Sequence, residues 1–145
     1  MDKGTAVLFT AGAGGLIALQ APINAGLAKA TGDLPSALIS FLVGTAALLL
    51  IVVVSGKAGG ISHATDVRWY YLLGGLLGAI YVANALVAVS SIGAGGVAAA
   101  TITGQLTAAV VIDRLGILGL EQTSFSAARI AGVVLLLAGT FLVVR

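Results

Sequence analysis

Charged residues interrupt this chain at only a few points, and the stretches between them have the length of a membrane crossing. No charge lies between Lys3 and Lys29, between Asp33 and Lys57, between Arg68 and Asp113, or between Arg129 and Arg145. A hydrocarbon core of about 30 Å takes about 20 helical residues at about 1.5 Å each. Because lipid satisfies no backbone N–H or C=O, only helices and closed barrels can cross it. The apolar runs carry no period-2 alternation and exceed the ~10-residue strands of a barrel. The pattern therefore predicts helices, over about 5–28, 35–55, 69–89, 96–112 and 126–144. The uncharged run from Trp69 to Ile112 is too long for one crossing, and Ser90-Ser91-Ile92-Gly93-Ala94-Gly95-Gly96 is the expected break, since clustered Gly and Ser disfavour helix. Lys29 to Asp33, Gly56 to Arg68 and Asp113 to Thr123 are the expected loops. Trp69, Tyr70 and Tyr71 open the third span as an interfacial aromatic belt.

Composition closes the soluble alternative. Apolar residues make up 59% of the 145 and charged ones 8%, against about 25% charged in a soluble domain. The fold class is an all-α integral membrane protein with five transmembrane helices in one membrane domain, 1–145. The net charge of +2 is small and no basic run exists, which leaves no nucleic-acid footprint. Without cysteine there is no disulfide and no zinc site of the Cys type. His63 lies in a polar loop. No catalytic constellation, metal site or cofactor motif is visible, so the sequence does not point to an enzyme. Lys3, an apolar run and Ala28-Lys29-Ala30 do mimic a cleaved signal peptide. The Gln-Ala-Pro-Ile-Asn passage inside that run speaks for a retained first helix instead.

Polar residues inside spans are costly, and serve function or hold helices together. Gln20 and Asn24 are four apart on the first span and share a face. Pro22 between them removes a donor and frees the Ala18 carbonyl, which predicts a kink. Tyr81 and Asn84 on the third span, and Thr101 and Gln105 on the fourth, are the other polar pairs. Converging, these groups would hydrogen-bond a polar or zwitterionic solute without a fixed charge. The bland alternative is ordinary interhelical hydrogen bonding. Asp113, beside Arg114, is either a hydrated or paired interfacial residue or a coupling group at the mouth of a pathway.

Helices pack in lipid by close backbone approach, through small residues. Gly96, Ala100, Gly104 and Ala108 form such a stripe on the fourth span, and Gly74 and Gly78 a shorter one on the third. They predict helix packing within the chain or against a second one. Lys3, Lys57, Arg68, Arg114 and Arg129 fall on the N-terminal side, and Lys29 and Arg145 on the other. That excess favours an inside N-terminus and an outside C-terminus, and is small enough to leave dual topology open.

LQAPINAGLAKATGDLPSALISFLVGT, GGLLGAIYVANALVAVSSIGAGGVAAATITGQLTAAVVIDRLGILG and ARIAGVVLLLAGTFLVV together resemble the five-helix YdcZ family of the drug/metabolite transporter superfamily, along essentially the whole chain. The resemblance implies half of an inverted-repeat transporter. Two five-helix halves face opposite ways because five is odd, so a single half needs an inverted second copy or a homologous sister subunit. By position the family's marked residues fall on Gln20, Asn24, Gly104, Gln105 and Asp113. The superfamily's small multidrug branch has a glutamate in its first helix, and this chain has no acid there. The implied function is secondary transport of a small organic solute by alternating access, as an antiparallel dimer in the bacterial plasma membrane. Its partners would be lipid, a small-molecule substrate and the second subunit. The alternative is a non-transporting membrane assembly or regulatory protein.

Overall fold

The computed structural model describes residues 2–117 and 120–145. It is helical, with no strand among the described residues. Helix α1 is Lys3–Thr31 and α2 is Asp33–Val54. Two 3-10 segments, Ala58–Asp66 and Trp69–Leu73, lead into the helical stretch Gly74–Leu115. At 42 residues that stretch would extend about 63 Å as one straight helix, about twice the hydrocarbon thickness. Gly93 breaks it, with φ 68° and ψ 170°. Residues 74–92 are α3, residues 94–115 are α4, and Ala127–Val144 is α5.

Each boundary has a local cause. The Asp2 side chain caps α1, accepting from the Thr5 backbone N–H at 2.9 Å and the Thr5 hydroxyl at 2.6 Å. Those bonds, the hydroxyl's first, hold the Asp2 carboxyl below the usual carboxylate range. Between α1 and α2 the expected five-residue loop shrinks to Gly32, whose φ of 86° is open to glycine at no steric cost. The break after α3 is similarly narrow: Ser90, Ser91 and Ile92 stay helical and Gly93 alone turns the chain. Asp113 and Arg114, expected in a loop, are helical. The loop that follows satisfies the carbonyls at that helix end, which would otherwise lack donors. The Thr123 backbone N–H donates to the Asp113 carbonyl at 2.8 Å, and Gln122 Nε2 to the Arg114 carbonyl at 2.9 Å. Leu118 and Gly119 of that loop lie outside the described residues. At the start of α5, Ser126 Oγ accepts from the Arg129 N–H at 3.2 Å.

The chain divides into two compact units, Met1–Ser90 and Ser91–Arg145. In the first, α1, α2 and α3 meet around Ala37, Val82 and Leu86, with Ala25, Ala28, Phe41 and Tyr81 packed against them. A Cβ on Gly78 would lie 3.6 Å from the Phe41 ring, an ordinary van der Waals distance, so α2 and α3 are in contact there. Fully buried Ser36 donates its hydroxyl to the Asn24 carbonyl at 2.7 Å and ties α2 to α1. In the second unit, α4 and α5 are joined by two threonines. The Thr103 and Thr140 hydroxyls are 2.6 Å apart, and Thr140 donates to the Ala99 carbonyl at 3.0 Å. Thr103 also lies 3.3 Å from the Leu136 carbonyl. Large apolar side chains elsewhere point outward, as at Leu8, Leu50 and Leu142. In water that would be an aggregation surface, and in lipid it is the solvated face.

We predict that Ser36→Ala lowers stability in mixed micelles by about 1 kcal/mol. The Asn24 carbonyl keeps its helical partner, so a loss of several kcal/mol in an unfolding titration would contradict this assignment.

A polar cleft between the first and third helices

The first unit contains a cleft of about 200 Å³, its open mouth included, lined by Ile17, Gln20, Ala21, Asn24, Tyr81, Val82, Ala85 and Leu86. Its enclosed volume is only about 10 Å³, room for about one water molecule. Its walls come from two helix faces. Residues 17, 20, 21 and 24 recur at three- and four-residue steps on α1, and 81, 82, 85 and 86 on α3, so each set shares a face. No charged side chain lines it.

Asn24 is 5% exposed, and its side-chain Nδ2 finds no hydrogen-bond partner among the described residues. Its backbone carbonyl, by contrast, takes the Ser36 hydroxyl. The helix position is thus fixed by the backbone while the carboxamide is left over. A buried amide without a partner costs roughly 1–3 kcal/mol, and such a group in a native fold requires an explanation. Gln20 opens onto the same cleft from an exposed position, and the half-buried Tyr81 faces them from α3. Pro22 sits inside α1, which continues through it to Thr31.

The other polar positions lie elsewhere. Asn84 is exposed and does not line the cleft. At about 100° per residue it sits roughly 130° around α3 from the middle of the face formed by residues 81, 82, 85 and 86. Thr101 is half-buried and Gln105 exposed, both on α4 in the second unit. Of the small-residue positions, Gly96 is buried, while Gly74, Ala100, Gly104 and Ala108 are exposed. The α4 face that meets α5 runs through Ala99 and Thr103, one residue away from that stripe.

Asp113 takes its charge partner from α5 and not from its neighbour. Its Oδ2 lies 3.2 Å from Arg129 Nη1, with both side chains more than a third exposed. Adjacent helical residues point about 100° apart, so Arg114 cannot share its face. Arg114 instead sets its guanidinium 5.9 Å from the Phe125 ring centroid. His63 is exposed and pairs locally with Asp66, Nδ1 to Oδ2 at 3.1 Å.

Sequence reasoning found Gln20, Asn24 and Tyr81 but not the apolar wall of Val82, Ala85 and Leu86. It also missed the Thr103–Thr140 clamp. Those two threonines are 37 positions apart, and no local periodicity joins them.

Five apolar helices with an uncharged recess between two of them define a multi-pass helical membrane protein. Residues 5–142 match the family model described as "Putative inner membrane exporter, YdcZ", and the chain belongs to that drug/metabolite transporter-type family. The family is one of inner-membrane exporters, which favours transport over catalysis. Neither the curated proteins nor the solved structures give a match.

Two outcomes follow from the geometry. Asn24→Leu, close in volume and without the orphan amide, should raise stability in an unfolding titration by about 1 kcal/mol. Destabilisation by a similar amount would mean that the amide has a partner. Asp113→Asn should change stability by less than about 1 kcal/mol, because the Arg129 pair is well solvated. A larger loss would make that pair a structural lock.

Proposed function

We propose that the chain is one half of a secondary transporter that moves a small organic solute by alternating access. It works as an antiparallel dimer with an inverted second copy or a homologous sister subunit. The observation that carries this reading is the Asn24 carboxamide, buried and unpartnered in a cleft with Gln20 and Tyr81. A solute that binds and leaves can use such a group, whereas permanent helix glue would have consumed it. Membership of an exporter family supports the same class of function.

The odd number of helices supports the assembly. Five crossings put the termini on opposite sides, so only an inverted partner recreates the repeat at whose interface transporter sites lie near the midplane. The single five-helix domain would sit in the bacterial plasma membrane with its N-terminus inside, as the lysine and arginine excess favours. Thr101 and Gln105 supply a second polar face, Asp113 marks the mouth of the pathway, and the exposed Ala100, Gly104 and Ala108 are surface for the partner.

The chain lacks cysteine, which makes the test clean. In proteoliposomes, Gln20→Cys and Gln105→Cys should react with a membrane-impermeant maleimide as His63→Cys does, while Leu142→Cys stays protected. Protection at both glutamines equal to that at Leu142→Cys would remove the cavity and leave the non-transporting assembly or regulatory protein. Tags on both termini, read in intact cells, separate a dual-topology homodimer (mixed accessibility) from a chain paired with a sister protein (uniform accessibility).

A further inference from the structure

The segment that leads into α3 sets a cation among aromatic rings at the edge of the membrane. Residues 74–92 of α3 extend about 28 Å, close to the full hydrocarbon thickness. The 3-10 turn Trp69–Leu73 therefore lies in the headgroup layer, which is about 5–7 Å deep on each side. Its large side chains have little protein cover: Trp69 is 72% exposed, and Tyr71 and Leu72 are exposed as well. Rings with an apolar body and a polar tip are stabilised at this depth, between acyl chains and water.

Arg68 stands at the head of this turn with its charge uncompensated. It is exposed and makes no ion pair among the described residues. Asp66, the nearest acid along the chain, is engaged by His63, with Nδ1 and Oδ2 3.1 Å apart. Arg68 Nη1 instead donates to the Tyr70 phenol oxygen at 3.2 Å. The Tyr70 ring is in turn placed between its neighbours, edge-on to Trp69 at 6.3 Å and 4.6 Å from Tyr71, centroid to centroid. One guanidinium N–H is thus spent on fixing the fork, and the others remain to donate. Tyr70 accepts from Arg68 and keeps its own proton for a further acceptor. A planar fork of N–H donors matches the oxygens of a phosphate, and a fork already ordered binds one at a lower entropic cost.

At that depth the phosphate at hand is that of a phospholipid. We propose that Arg68 and Tyr70 form a phospholipid headgroup site with a preference for lipids of net negative charge. Trp69 and Leu72, three apart and so on one side of a 3-10 turn, lie against the acyl chains. A zwitterionic headgroup brings its own ammonium beside the phosphate, and that group competes with the guanidinium. An anionic headgroup has no such competitor. Lipid binding here is independent of whether the cleft between α1 and α3 serves a solute.

Trp69 is the only tryptophan of the chain, so its fluorescence reports this position alone. The full-length protein is reconstituted in phosphatidylcholine vesicles, and quenching by brominated phosphatidylglycerol is compared with quenching by brominated phosphatidylcholine. The comparison should give a roughly fivefold preference for the anionic lipid, the size expected of one basic residue at a membrane surface. Arg68→Gln should abolish that preference and Tyr70→Phe should weaken it. Lys57→Gln, which removes the other basic charge of the same loop, should leave it in place. Equal quenching of the wild type by the two lipids overturns the proposal. Equal losses in Lys57→Gln and Arg68→Gln overturn it as well, because they mean diffuse surface charge. Loss of the preference with inorganic phosphate, but not with chloride at matched ionic strength, makes this a free-anion site and overturns the lipid assignment.

Discussion

Lipid offers no hydrogen bonds, and this requirement governs where each buried polar group of the protein goes. In the first unit Ser36 gives its hydroxyl to the Asn24 carbonyl and joins α2 to α1. In the second, Thr103 and Thr140 join α4 to α5 through the Ala99 carbonyl. In each case a small hydroxyl residue allows close helix approach and supplies a directional bond, where apolar contact alone gives no preference over lipid. The Asn24 carboxamide is the exception to this satisfaction. Ser36 and Thr103, the other buried polar side chains among the described residues, have partners, and the Asn24 Nδ2 does not.

The backbone is interrupted only where the geometry demands it. Gly32 and Gly93 both adopt positive φ, and each acts as a complete connection between helices. Such short links conserve nearly all the chain for crossing the membrane, which is how a 145-residue protein contains five helices. The longer segments, residues 55–73 and 116–126, hold the His63–Asp66 pair and the Gln122 and Thr123 bonds to the end of α4.

Family membership and site geometry reinforce each other without repeating each other. The family gives transport across the membrane as the class of function. The cleft adds a chemical constraint: aliphatic walls, amides and a phenol, and no fixed charge. Asp113, near the C-terminal end of α4, lies in the other unit and is paired with Arg129. The uncharged cleft and the Asp113–Arg129 pair thus lie in different units of the chain.

The helices and their membrane setting were legible in the sequence, because charge spacing and apolar run length are local properties that lipid enforces directly. The shared face of Gln20 and Asn24 was legible too, as helical periodicity alone relates residues four apart. The width of the breaks was not: only backbone angles reveal that Gly32 and Gly93 each suffice. Nor was the grouping of Tyr81 with Gln20 and Asn24 apart from Asn84, or the choice of Arg129 over Arg114 by Asp113. These depend on the rotation of one helix against another. Tertiary packing fixes that rotation through contacts such as Ser36 on Asn24 and Thr140 on Ala99, between residues that no local pattern connects.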